Sequence, residues 1–133
     1  MHAVDTSLAV PLLMTTHPAH ESVEAWAQGR ELSLGPRATL ETYAVLTRLP
    51  GTNRLLPADA ATLIESNFTL TAQEPIPTSQ LASTLATASV AGGASYDGVI
   101  GLEALTAGLP LASRDARAGS TYARIGAKVE MLD

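Results

Sequence analysis

The chain has 133 residues, 46% of them hydrophobic, with 13 acidic and 8 basic side chains and a formal charge of −5. This length supports one hydrophobic core rather than two, so a single domain over residues 1–133 is expected, and the net negative field argues against a simple nucleic-acid-binding module. Cysteine is absent, which excludes disulfides, thiolate metal sites and a cysteine nucleophile, and leaves oxygen or imidazole to hold any metal.

Taken in chain order, short apolar runs alternate with longer segments of helical period, the pattern of an α/β fold with a mainly parallel sheet. A first strand is expected at residues 2–4. Asp5-Thr6-Ser7 then offers capping side chains to a helix over 8–14, in which Pro11 fits only near the first turn. A helix over 18–28, a strand at 31–34 and a helix over 36–49 follow, the last opened by Pro36 and ended by Pro50-Gly51. Helices over 57–66 and 78–91 flank a short strand at 68–71, and Gly92-Gly93 breaks the chain again. A helix over 96–108 carries Gly101, Ala104 and Gly108 as a small-residue face. A strand at 109–113, a helix capped by Asp115 and reaching Ala123, and a strand at 127–132 complete the series. No segment has the roughly 18 consecutive apolar residues of a membrane helix. Asp5 also interrupts an opening unlike a signal peptide, so a soluble, cytoplasmic protein is expected.

Four acids fall at one edge of this arrangement. Asp5 and Asp115 follow strands, Asp97 opens a helix, and Glu41 lies in the first turns of the helix after the second strand. In open parallel sheets that edge, beyond the carboxyl ends of the strands, is where ligands bind. Singly, each Asp has a plainer role, as a helix cap or a complement to a helix dipole. Glu41 shares a helical stripe with Ala38, Val45 and Leu49, and Asp97 shares one with Ile100, Gly101, Ala104 and Leu105. A carboxylate on an apolar face needs a partner or a metal. If the four converge, their repulsion favours a hard divalent cation, Mg²⁺ or Mn²⁺, and the reaction class that follows is phosphodiester hydrolysis.

The residues around these acids resemble the PIN-domain ribonucleases, specifically the VapC-type toxins of bacterial toxin–antitoxin pairs. Ala3-Val4-Asp5-Thr6-Ser7 is similar to that family's first strand and first acid, and His17-Pro18-Ala19-His20-Glu21 to the loop that follows. Thr39-Leu40-Glu41-Thr42-Tyr43 is similar to the second acid on its helix, and Tyr96-Asp97-Gly98-Val99-Ile100 and Leu111-Ala112-Ser113-Arg114-Asp115 to the third and fourth. The resemblance covers nearly the whole chain. It implies a single three-layer α/β/α domain and an endoribonuclease using Mg²⁺ or Mn²⁺ at Asp5, Glu41, Asp97 and Asp115, with Asp5 and Asp97 as direct ligands. It also implies an RNA substrate, a homodimer, and inhibition by a cognate VapB-type antitoxin whose tail occupies the active-site groove. Gly98, Gly101 and Ala112-Ser113 stand where the family more often has Ala and Val-Thr, and the 52–77 segment, expected to shape the groove, matches only in general character.

Other residues are weighed against simpler roles. His17 and His20 lack a convincing third ligand for a metal site. Ser7, beside Asp5, is expected to cap a helix or to hydrogen-bond a metal-bound water or the substrate phosphate rather than act as a triad nucleophile. Arg114 and Arg117 could contact phosphate or form surface ion pairs. Trp26 and Phe68 are expected to pack in the core. An aspartyl phosphatase would need an acid two residues after Asp5, where Ser7 stands, and a receiver domain would need an early acid pair and a late catalytic lysine, whereas Lys128 falls in the final strand. A noncatalytic RNA-binding module on the same fold would be expected to have lost one of the four acids.

Overall fold

A computed structural model describes residues 1–71 and 76–133. Its sheet is built from β1 (His2–Val4), β2 (Leu32–Leu34), β3 (Thr69–Leu70), β4 (Leu111–Ser113) and β5 (Val129–Met131). The order is β3-β2-β1-β4-β5 and all four pairings are parallel, with Ala3 opposite Ser33 and Leu111, and Leu111 opposite Val129. The strands at the centre are buried, as expected where helices cover both faces.

The helices are α1 (Thr6–Leu13), α2 (His20–Ala27), α3 (Pro36–Arg48), α4 (Pro57–Asn67), α5 (Thr78–Thr87), α6 (Ala94–Ala107) and α7 (Ala116–Ile125), with a 3₁₀ turn at Gly51–Asn53 that the sequence reading did not anticipate. Chain order runs outward from β1 to β3, then returns across β1 to β4 and β5. Right-handed crossovers place α1 to α4 on one face and α5 to α7 on the other, giving the expected three layers. The direction reverses between β1 and β4, and at that point the carboxyl ends of adjacent strands open a crevice.

Every expected element is present in the expected order. Pro11 departs from its expected place: α1 begins at Thr6, so the proline lies beyond the first turn. Its ring removes one helical N–H donor, while its own carbonyl is taken up by His20 Nδ1 at 2.8 Å. Helix α5 stops at Thr87, short of 91, and buries none of its residues. Leu105, expected on the buried stripe with Asp97, is 45% exposed, whereas Ile100, Gly101 and Ala104 are buried. Phe68 lies in the core and Trp26 packs against it, as expected.

The small-residue face of α6 permits close packing. A methyl group at Gly101 would stand 3.3 Å from Tyr122 Cδ1, and one at Gly98 would stand 2.7 Å from Leu85 Cδ2 and 3.1 Å from Val90 Cγ1. Alanine at 98 would therefore force Leu85 to turn aside. Glycine here lets α6 sit close to its neighbours, carrying Asp97 with it. No helix among the described residues is long and apolar enough to cross a membrane.

Candidate active site

Asp5, Glu41, Asp97 and Asp115 line one cavity of about 420 Å³, together with Thr6, Ser7, His17, Arg114 and Tyr122. It lies at the crevice between the carboxyl ends of β1 and β4. Two of the acids reach it because they cap helices: Asp5 accepts from Ser7 N at the start of α1, and Asp115 from Arg117 N and Ala118 N at the start of α7. Capping and membership of the site are thus not alternatives. A strand that ends in a helix cap puts the capping carboxylate at the sheet edge where ligands bind.

Asp5 is buried and held by four donors. Its Oδ1 accepts from Ser7 N at 3.0 Å and Ser7 Oγ at 2.5 Å, and its Oδ2 from Ser113 Oγ at 2.6 Å and the Tyr122 hydroxyl at 2.8 Å. These bonds occupy the roughly four acceptor positions of a carboxylate. The network continues outward: Arg114 N donates to Ser7 Oγ at 2.8 Å and Asp115 N to Ser113 Oγ at 3.0 Å, tying the β4–α7 turn to the start of α1. Ser7 therefore serves as a bridge between the two strand ends. Burial foremost, and then the Asp5 charge and its hydrogen bond, push the Tyr122 phenol far above its ordinary value, so Tyr122 remains a proton donor to Asp5.

The other two acids sit on the far wall. Glu41 Oε1 receives Arg37 Nε at 3.1 Å and Nη2 at 3.0 Å, one turn back on α3, and its Oε2 accepts from Thr6 Oγ1 at 3.3 Å. The Arg37 guanidinium also lies over the Tyr96 ring, 4.5 Å from its centroid. Asp97 is half-buried, with no hydrogen-bond donor in range among the described residues. Burial foremost, then the charges of Glu41, Asp115 and Asp5, raise its pKa above the ordinary value, against the opposing effect of Arg37.

Beside this wall Glu103 is buried on α6 and accepts from Arg37 N through both oxygens, at 3.0 and 2.8 Å. Helix α3 has Gly35 at its N-cap and so lacks a cap of its own; Glu103 supplies one from another helix. The fit is tight, since a methyl group at Gly35 would lie 2.7 Å from Glu103 Cδ. Burial raises the Glu103 pKa, and the backbone N–H groups of Arg37 and Ala38 oppose that rise.

Tyr122, Arg37 and Glu103 were absent from the sequence reading. The Arg37–Glu41 pair was legible as an i,i+4 ion pair, and Tyr122 falls seven residues after Asp115 on a helical stripe with Ala118. Nothing local marks Glu103, which acts across 66 residues. Of the two arginines considered for phosphate, Arg114 lines the cavity whereas Arg117 is exposed and does not. Lys128, the only lysine, does not line it either, contrary to the needs of a receiver domain.

Among the described residues, no three His, Asp or Glu side chains are close enough to form a ready-made coordination shell. The donor set nevertheless suits a hard divalent ion: four carboxylates, no sulfur, and an Asp97 that senses the other three charges with only Arg37 opposing them. Asp97 is the freest to take a cation. Asp5 would first have to give up one hydroxyl donor.

No family model matches the chain. It is 47% identical to Ribonuclease VapC27 of Mycobacterium tuberculosis over 128 residues, covering 96% of this chain and 93% of that protein. The fold is similar to that in the crystal structure of FitAcB from Neisseria gonorrhoeae, at TM-score 0.66 and 19% identity over 97% of this chain and 96% of the other. It is also similar to VapBC2 from Rickettsia felis bound to a DNA fragment from their promoter, at TM-score 0.66 and 13% identity over 99% and 98%. With near-complete coverage at this identity, the chain belongs to the VapC family of PIN-domain ribonuclease toxins.

Proposed function

We propose that this protein is a divalent-metal-dependent endoribonuclease that hydrolyses RNA phosphodiester bonds at the cavity lined by Asp5, Glu41, Asp97 and Asp115. The observation that carries the reading is the meeting of four carboxylates from α3, α6 and the ends of β1 and β4 in one crevice, in a chain of the VapC family. Asp97 and Asp5 would hold Mg²⁺ or Mn²⁺, with Glu41 and Asp115 completing the acidic shell. Bound there, the ion would supply activation of water and neutralisation of phosphate charge. The residues of the chain do the positioning. Ser7, Ser113 and Tyr122 fix the Asp5 carboxylate in one orientation, Arg37 restrains Glu41, and Arg114, on the cavity wall, is available to a phosphate oxygen.

The protein acts on RNA in the cytoplasm and is held in check by a cognate VapB-type antitoxin. Support comes from the family and from the structural similarity to VapBC2, which is a complex.

The test is cleavage of total cellular RNA by purified protein freed of antitoxin, with Mg²⁺ or Mn²⁺ and with chelator, beside Asp97→Asn. Discrete products that need the metal and vanish in the variant are expected. Folded, antitoxin-free protein that cuts nothing would shift the reading to a noncatalytic module on the same fold.

A further inference from the structure

The two histidines of the α1–α2 loop have separate roles. His20 is consumed by the fold, with Nδ1 donating to the Pro11 carbonyl at 2.8 Å and Nε2 facing Glu24 Oε2 at 3.5 Å. His17 lines the active-site cavity. Its Nδ1 accepts from the backbone N–H of Ala19 at 3.0 Å. An amide N–H can only donate, so this bond puts the ring proton on Nε2 and holds the ring in one orientation. No group among the described residues partners that Nε2–H. Besides His17, the acids, Thr6, Ser7, Arg114 and the Tyr122 hydroxyl are polar in the lining, and Val10, Pro11, Val45, Ile100 and Ala118 add apolar surface to it.

We infer that His17 marks a nucleobase subsite of the cavity, in which His17 Nε2–H donates to an acceptor on the edge of one base flanking the scissile phosphate and the apolar part of the lining packs against that base. This rests on the ribonuclease reading and deepens it by naming a specificity determinant. A base fits better than a phosphate for two reasons. The cavity already holds a guanidinium, Arg114, for phosphate oxygens, and His17 adds a single N–H that suits a carbonyl or ring nitrogen. Apolar walls would leave phosphate oxygens unsolvated, whereas a heterocycle buries its faces there at little cost. Single-stranded RNA, whose bases can be splayed out of a stack, is the substrate form that enters.

The experiment uses a pool of short RNAs of randomised sequence, cut by the purified protein in Mn²⁺ and sequenced at the new ends, with wild type, His17→Ala and His17→Gln run in parallel and Asp97→Asn as the nuclease control. Wild type is expected to favour certain bases at one position beside the cut by about tenfold, the size of one desolvated hydrogen bond. His17→Ala should flatten that preference to about twofold, and His17→Gln, which keeps an N–H donor, should restore part of it. If His17→Ala does not fold by circular dichroism, His17→Phe, which keeps the ring's bulk and loses the donor, replaces it. An unchanged preference in a folded variant that still cuts overturns the inference, as does a uniform loss of rate over all sequences, which marks a phosphate contact. Both leave the ribonuclease reading standing. Absence of metal-dependent cleavage by wild type is the distinct outcome that removes that reading and the subsite with it.

Discussion

The two walls of the cavity differ in how far their carboxylates are satisfied. On the β1/β4 wall Asp5 is buried under four donors, and on the α3/α6 wall Asp97 has none within hydrogen-bond range among the described residues and carries a raised pKa. The first wall is built into the fold, because removing its acceptor strands three side-chain hydroxyls and a backbone N–H in a buried place. On the second, Glu41 is paired with Arg37, while Asp97 is held at a cost that Arg37 offsets only in part and that a cation would relieve. Stability and activity should therefore separate according to which wall is altered.

Asp5→Asn should have the largest effect on the fold. It replaces an acceptor oxygen with a donor among the donors that surround Asp5, and a loss of about 3 kcal/mol in urea unfolding is expected together with loss of activity. An unchanged unfolding midpoint would erase the distinction between the walls. Tyr122→Phe keeps the ring and removes one of the donors, so a loss of about 1–2 kcal/mol is expected by the same measurement. On the α6 side Glu103→Gln retains one acceptor for Arg37 N but loses the charge at the start of α3, and should cost about 1 kcal/mol. A cost as large as that of Asp5→Asn would show that the second wall is structural too.

Asp97→Asn has the smallest expected effect on stability and sharpens the contrast most. In chelator the variant should be as stable as wild type or slightly more so. The sign follows from linkage: below the ordinary value of 3.8 the proton is held in folded and unfolded chains alike, and as pH rises through the higher folded value the ionised form is disfavoured in the fold. Wild type should lose stability relative to Asp97→Asn across that window, in urea midpoints taken as a pH series. A variant less stable than wild type at neutral pH would make Asp97 a structural cap.

The sequence made the architecture legible because the strands are separated by helices with clear stops, such as Pro50-Gly51 and Gly92-Gly93. The four acids were legible because each occupies a defined place relative to a strand end or a helix start. Their surroundings were harder to read. Tyr122 meets Asp5 across 117 residues and Glu103 meets Arg37 across 66, and such pairings exist only once α6 and α7 have packed. Glu103 also looks like an ordinary helical glutamate until Gly35 is seen to leave room for it. Pro11 was misplaced for a related reason: local propensity sets it in a first turn, whereas α1 starts two residues earlier than expected, at Thr6, with the Pro11 carbonyl bonded by His20. Of the 52–77 segment, residues 72–75 lie outside the described residues.

The central claim is that the four carboxylates make one cation site, and Mn²⁺ binding to purified, antitoxin-free protein tests it most directly, followed by calorimetry or by loss of the free-ion electron paramagnetic resonance signal. Saturable binding by wild type that is lost in folded Asp97→Asn is the result expected. Equal binding by the variant, or none by wild type, would contradict it.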